Sequence, residues 1–245
     1  MALTIDGRYL LSRFQGGDDL VYDRSFDELR TGFTAAVSHE LRTPLARILA
    51  LLDSADLPGA DVHALIDQAK AEVENAGVLI DEILFLSELE SGKEVVSLGH
   101  TAALAVLRSV AEHLGDAATR AGVTIAVEGD EAVEVPLRPR MLRIVAENLT
   151  ANAIRYAGHG AHFSLSVRRS GDFAVLTASD NGAGVDEAHL PRLFERFYRA
   201  DAARTSRGTG LGLAIVKHVV AAAGGDIEVD GGPGRGLRIR CTFQS

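Results

Sequence analysis

Apolar positions along the chain change period near residue 95, and that change divides it. From Ser25 to Ala55, Phe33, Val37, Leu41, Ile48 and Leu52 fall on one broad face at about 100° per residue, which predicts a helix. Ser25 followed by Glu28 has the spacing of a capping box at its start. Pro44 inside it removes an amide donor and predicts a bend. Asp56-Leu57-Pro58-Gly59 reads as a turn. A second helix over 61–90 carries Val62, Leu65, Ala69, Ala76, Leu79, Ile83 and Leu86 at a seven-residue spacing. Glu72 interrupts that repeat, and Ile66, Val73 and Ile80 widen the stripe. One helical hairpin cannot cover faces this wide, whereas pairing with a second copy gives a two-fold four-helix bundle.

Beyond Ser91-Gly92-Lys93 the pattern predicts helices over 101–121, 139–156 and 210–223. Strands are predicted over 123–128, 133–135, 162–169, 173–180, 226–230 and 236–243, where apolar and polar residues alternate. That order implies an α+β sandwich: a mixed, mostly antiparallel sheet with helices on one face. Residues 1–24, with a Gly16-Gly17-Asp18-Asp19 break, read as a linker or as the remnant of an upstream sensor domain. The expected domains are therefore 1–24, an all-α hairpin over 25–92, and an α+β unit over 95–245.

Composition narrows the function. The 245 residues are 47% hydrophobic and 24% charged, an ordinary globular balance. A net charge of −9 with 5% aromatics disfavours nucleic-acid partners, which need a basic face or stacking platforms. One cysteine, Cys241, excludes an internal disulfide and fits a reducing compartment. No apolar run is long enough for a membrane span and no signal peptide is evident. The expectation is a cytoplasmic chain or the cytoplasmic part of a membrane-bound sensor.

Four clusters carry candidate chemistry. Gly208, Gly210 and Gly212, with Thr209 and Leu211 between them, precede a helix; free amides there favour phosphate, although a tight turn needs the same glycines. Asp180-Asn181-Gly182-Ala183-Gly184 follows a strand. Its carboxylate can accept from an exocyclic amine such as adenine's, or it is simply an Asp-Asn-Gly turn. Asn148, Asn152 and Tyr156 share a helix flank beside the stripe of Leu142, Val145, Leu149 and Ala153. Two carboxamide oxygens one turn apart suit Mg2+, with Arg155 beside them for phosphate. Finally, His39 projects away from the apolar face of its helix. Glu40 can hold one ring nitrogen protonated and leave the other nucleophilic, and Thr43 offers a hydroxyl one turn on.

In this order and spacing the clusters resemble the catalytic core of a bacterial sensor histidine kinase, over residues 25–245. SHELRTPL (38–45) resembles the phosphoacceptor box, NLTANAIRY (148–156) the asparagine box and DNGAGV (180–185) the first glycine box. LFERFYR (193–199) resembles the phenylalanine box and GTGLGLAIV (208–216) the second glycine box. The resemblance implies the ATP-binding fold shared by gyrase, Hsp90, histidine kinases and MutL. It implies two-component signalling: ATP with Mg2+ phosphorylates His39 in a homodimer, and the phosphoryl group passes to an aspartate of a response regulator receiver domain. Phosphatase activity toward that regulator is a further expectation. Glu40 would be base or orienter, and Thr43 would position a water in the phosphatase reaction. Asn148 and Asn152 would hold the metal. Arg155 and Tyr156 would meet phosphate and nucleobase, and Asp180 the adenine amine, with Gly182 and Gly184 shaping its pocket. Gly208, Thr209, Gly210, Leu211 and Gly212 would border the phosphates. Residues 198–209 would form a mobile lid from which Arg199, Arg204 or Arg207 reaches the γ-phosphate.

Three departures stand out: VEVPLRPR where a Gly-Asp pair is expected, Arg155 where lysine is more usual, and the small pair Thr150-Ala151. None removes a catalytic group. Two rivals are an ATPase of the same fold and a non-catalytic dimeric scaffold. The ATPase needs a carboxylate at position 148, where Asn stands; Glu147 points about 100° away on a helix. The intact His39 and nucleotide boxes argue against the scaffold.

Overall fold

The computed structural model describes residues 3–5, 8–10, 19–92, 99–200 and 208–244, with side chains from Thr34 onward. Two compact units emerge: Gln15–Ser87, and Met1–Phe14 together with Glu88–Ser245.

The helical unit contains α1 (Asp19–Ala55) and most of α2 (Val62–Glu90). The expected start at Ser25 is corrected: α1 begins six residues earlier, because nothing in DLVYDR breaks a helix, and Ser25 lies inside it. α1 runs on through Pro44. The start of α2 is capped by Asp61, whose carboxylate accepts the Ala64 N–H at 3.1 Å. Glu72, the polar break in the repeat, is buried and its carboxylate lies 3.6 Å from the Arg47 guanidinium on α1. A buried carboxylate needs such a partner, so the interruption ties the two helices together. Leu79 of the repeat is buried, while Ile66, Val73 and Ile80, which widened it, are exposed. On α1, Leu45, Leu49 and Leu52 are each more than half exposed.

The second unit is a two-layer sandwich. Its strands are β1 (Leu3–Ile5), β2 (Arg8–Leu10), β4 (Thr124–Gly129), β6 (His162–Ser170), β7 (Phe173–Asp180), β8 (Asp226–Gly232) and β9 (Gly236–Gln244). They form one sheet in the order β1-β2-β8-β9-β7-β6-β4. Among the described residues only the β4–β6 pair of this sheet is parallel; the others are antiparallel, with Phe163 opposite Asp180 and Val229 opposite Ile239. β1 and β2 lie within the stretch read as linker. A separate pair, β3 (Thr101–Ala102) and β5 (Glu134–Val135), takes the first two residues of the helix predicted from 101.

Helices α3 (Ala103–Ala121), α4 (Pro139–Tyr156) and α5 (Gly212–Ala222) contact the sheet. Alternation along the strands decides the core: Phe163, Leu165 and Val167 of β6, Leu176 of β7, Val229 of β8 and Ile239, Cys241 and Phe243 of β9 are buried. They meet Leu104, Leu107 and Val110 of α3, Met141, Leu142, Val145 and Leu149 of α4, and Ile215, Val216 and Val219 of α5. Pro139 opens α4, where its missing N–H costs nothing, and this replaces the expected Gly-Asp pair. Buried Thr150 is satisfied by donating its hydroxyl proton to the Ala146 carbonyl at 2.7 Å. A short 3-10 helix over Glu187–Arg192, which the apolar pattern did not reveal, is capped by the Asp186 side chain.

Candidate functional site

Two loops, 25 to 64 residues further along the chain than the positions they touch, meet the last turns of α4. Gly212, at the start of α5, sits so close to Asn148 that a Cβ there would lie 2.5 Å from the Asn148 Oδ1. One Cβ on Gly208 would lie 2.9 Å from the Tyr156 hydroxyl and 3.0 Å from an Arg155 guanidinium nitrogen. At Gly182 it would lie 2.5 Å from the Cα of Ala157, the residue that ends the helix. The last three turns of α4 therefore face the second glycine segment along one side and the Asp180 loop at its tip.

The side chains along this face are polar or positively charged. The Asn148 carboxamide donates to the Ile144 carbonyl at 2.8 Å, which turns its oxygen toward Gly212. Asn152 makes no side-chain hydrogen bond among the described residues. Two carboxamide oxygens on one flank, with water and phosphate oxygens completing the shell, fit the donor set of a Mg2+ site. The Arg155 guanidinium lies 6.0 Å from the Tyr156 ring centroid. The Thr209 hydroxyl accepts the Leu211 N–H at 3.2 Å, closing the turn before α5. Arg199 is half-buried at the near end of the phenylalanine box. Arg204 and Arg207 lie outside the described residues.

Asp180 is held at the end of β7. Burial pushes its carboxyl above the ordinary aspartate range, against the opposing effect of N–H groups donated by Gly182 and Leu237. The Gly182 N–H lies 2.9 Å from the Asp180 Oδ1. Two glycines support this loop: Gly184, which the sequence assigned to the site, and Gly236, which it did not. Gly184, with φ +68°, leaves no room for a Cβ against the Gly232 carbonyl, and Gly236, with φ +71°, leaves none against the Asp180 carbonyl. The signal is present in the sequence as the GGPGRG run over 231–236, which has the composition of a turn.

Glu147, the carboxylate nearest position 148, is engaged 3.6 Å from Arg143 on the helix flank. A cleft of about 450 Å³ is lined by Ser164, Ser179, Asp230 and Arg238 together with Asp180, the one candidate site residue it includes. The glycine-bordered face of α4, not this cleft, unites the candidate residues.

In the helical unit, His39 is exposed on α1 and Glu40 is half-buried. The Thr43 hydroxyl donates to the His39 carbonyl at 3.4 Å. His39 thus presents its side chain to solvent from α1.

A helical hairpin bearing an exposed histidine, followed in the chain by an α+β sandwich with a glycine-bordered helix face, matches the class that pairs a phospho-acceptor domain with an ATPase domain. Known proteins agree. Residues 29–92 match the His Kinase A (phospho-acceptor) domain, and residues 137–245 match the histidine kinase-, DNA gyrase B- and HSP90-like ATPase. The chain is 32% identical over 231 residues to the phosphate regulon sensor protein PhoR of Pseudomonas aeruginosa, covering 92% of this chain and 52% of that protein. It is 33% identical over 225 residues to the sensor-like histidine kinase SenX3 of Mycolicibacterium smegmatis, covering 89% and 58%. The solved Acinetobacter baumannii histidine kinase AdeS shares the fold, with TM-score 0.68, 24% identity, and 84% and 97% coverage. ShkA, solved in complex with AMPPNP, aligns with TM-score 0.64 and 26% identity over 85% of this chain and 44% of that one. The chain belongs to the sensor histidine kinases and comprises their catalytic core. It spans about half the length of the curated relatives it matches. The match to that ATPase family implies ATP binding by this domain. Among the described residues no helix is long and apolar enough to cross a membrane.

Proposed function

We propose that this chain autophosphorylates on His39 and passes the phosphoryl group to an aspartate of a response regulator. The convergence of both glycine boxes on the Asn148–Ala157 face of α4 is the observation that carries this reading. Asp180 accepts the adenine amine there, and the amides at 208–212 with Arg155 hold the phosphates. Asn148 and Asn152 hold Mg2+, which supplies charge neutralisation on the phosphate oxygens. A nitrogen of the His39 ring forms a bond to the γ-phosphorus as the bond to the bridging oxygen breaks, and ADP leaves with that electron pair. Glu40 takes the proton from the other ring nitrogen. Positioning and charge supply most of the rate enhancement in phosphoryl transfer of this kind.

The exposed stripe of Leu45, Leu49 and Leu52 with Ile66, Val73 and Ile80 supports a homodimer through the hairpin, closing a four-helix bundle. Thr43 marks where a water for regulator dephosphorylation would be held.

The test is incubation with γ-labelled ATP and Mg2+ beside His39→Gln. The expected label is lost in acid, survives alkali and is absent from the variant. Nucleotide binding without label on the wild-type chain would refute autophosphorylation.

A further inference from the structure

One cluster lies outside every motif used above. Glu90, at the end of α2 and already part of the catalytic unit, pairs its carboxylate with the Arg196 guanidinium. The same oxygen lies 3.3 Å from Nε2 of His218 on α5. Burial, with the Arg196 and Lys217 charges, pushes His218 down to about 4, so at neutral pH it meets Glu90 as a neutral ring. Arg196 is the charged partner in this triad, and all three side chains are about two-thirds buried.

Arg196 is also one residue from Phe197, which packs against the glycine segment. Phe197 has φ +61°, the one non-glycine residue in the left-handed region among those described. Such a conformation persists only where its surroundings over-determine it. Here the Phe197 N–H donates to the Gly210 carbonyl at 3.0 Å, and a Cβ on Gly210 would lie 2.7 Å from the Phe197 carbonyl carbon. Glu90, Arg196, Phe197 and Gly210 therefore form a contiguous chain of contacts. It runs from the point where the helical unit ends to the segment that borders the phosphates.

We propose that Glu90 is a positioning residue: through Arg196 and Phe197 it sets the place of Gly210, so that the end of α2 and the nucleotide segment are energetically coupled. The proposal rests on the assignment of 208–212 to nucleotide binding. Coupling of this kind is reciprocal, so nucleotide must stabilise the Glu90 contact to the same extent that the contact stabilises bound nucleotide.

The experiment measures the Kd of a fluorescent trinitrophenyl-ATP on the whole chain for wild type, Glu90→Ala, Arg196→Met and the pair, with melting temperatures alongside. Each single change is expected to alter Kd by about fivefold or more, with the double change no larger than either alone. Glu90→Gln, which keeps the hydrogen bond and loses the charge, should fall between. Saturating nucleotide should slow amide exchange at Leu89 and Glu90 in the wild type and not in Arg196→Met. A lowered melting temperature with unchanged Kd would make the triad a structural tie only and overturn the proposal, as would additive effects. A variant that fails to fold leaves the wild-type exchange measurement decisive: no slowing overturns the coupling. Failure of the wild-type chain to bind nucleotide at all would instead strike the assignment of the site.

Discussion

Gly182→Ala puts the architecture of the site to a quantitative test. A Cβ at this position lies 2.5 Å from the Ala157 Cα and 2.6 Å from its carbonyl carbon, where ordinary contact begins near 3.4 Å. The obstacle is backbone at the end of α4, so neither partner can rotate away. Against those two carbons alone the loop must retreat by about 0.9 Å, and the Ala157 carbonyl oxygen lies closer still; a gap of that size forfeits a good part of a van der Waals contact. Overpacking of this sort costs about 1–3 kcal/mol. The retreat also strains the Ala183 N–H bond to the Ala157 carbonyl, 2.9 Å long, worth about 1 kcal/mol. Together the loss is about 2–4 kcal/mol, or about 6–12 °C in Tm at roughly 3 °C per kcal/mol for a domain of this size. Because the Gly182 N–H also holds the Asp180 carboxylate, nucleotide affinity should fall about tenfold or more. Thermal denaturation and nucleotide titration of the same preparation measure both. An alanine variant with unshifted Tm and unaltered Kd would refute the close approach of the Asp180 loop to α4 and the reasoning built on it.

Asp180→Asn separates stability from function. Its carboxyl titrates above the ordinary range when folded, so the folded state holds that proton more tightly than the unfolded chain does. The stability this gives is full at pH below the ordinary aspartate value and is lost as pH rises through the raised one. The neutral variant should therefore melt no lower, and somewhat higher, at pH 7, while binding ATP about tenfold more weakly through loss of the charged acceptor. Wild-type ATP affinity should likewise begin to fall on acidification at a pH above that of an ordinary aspartate, measured by titration calorimetry across the acid range. Leu49→Glu with Ile80→Glu should give monomers in sedimentation equilibrium with helicity retained; an undisturbed dimer would refute the assignment of that face. Thr101→Val removes a buried hydroxyl that donates to the Leu137 carbonyl at 2.5 Å, tying β3 to the segment before α4. It should cost about 1–2 kcal/mol by urea denaturation with little change in nucleotide affinity.

The elements were legible where periodicity is local. α2 begins one residue after the start read from its repeat, and α4, β6 and β7 fall within a residue of their predicted ends. Residues 19–24 and the 3-10 helix were not, because neither presents an apolar face long enough to show a period. The chemistry-bearing residues were also visible: carboxamides one turn apart, an acid at a strand end and glycines before a helix restrict what each segment can do.

Juxtaposition came only from tertiary structure. Nothing local says that Gly212, Gly208 and Gly182 all meet the last turns of one helix, since each contact joins segments 25 or more residues apart. The same holds for Glu90 and Arg196, separated by 106 residues, and for the left-handed Phe197, whose conformation is fixed by Gly210 rather than by its own side chain. Sequence by itself determined the elements, their apolar faces and the kinds of chemistry available, because these depend on neighbours a few residues away. The packed sheet and helices decided which loops share a site and which glycines cannot become alanine, because those properties arise from backbones that approach only when the core closes.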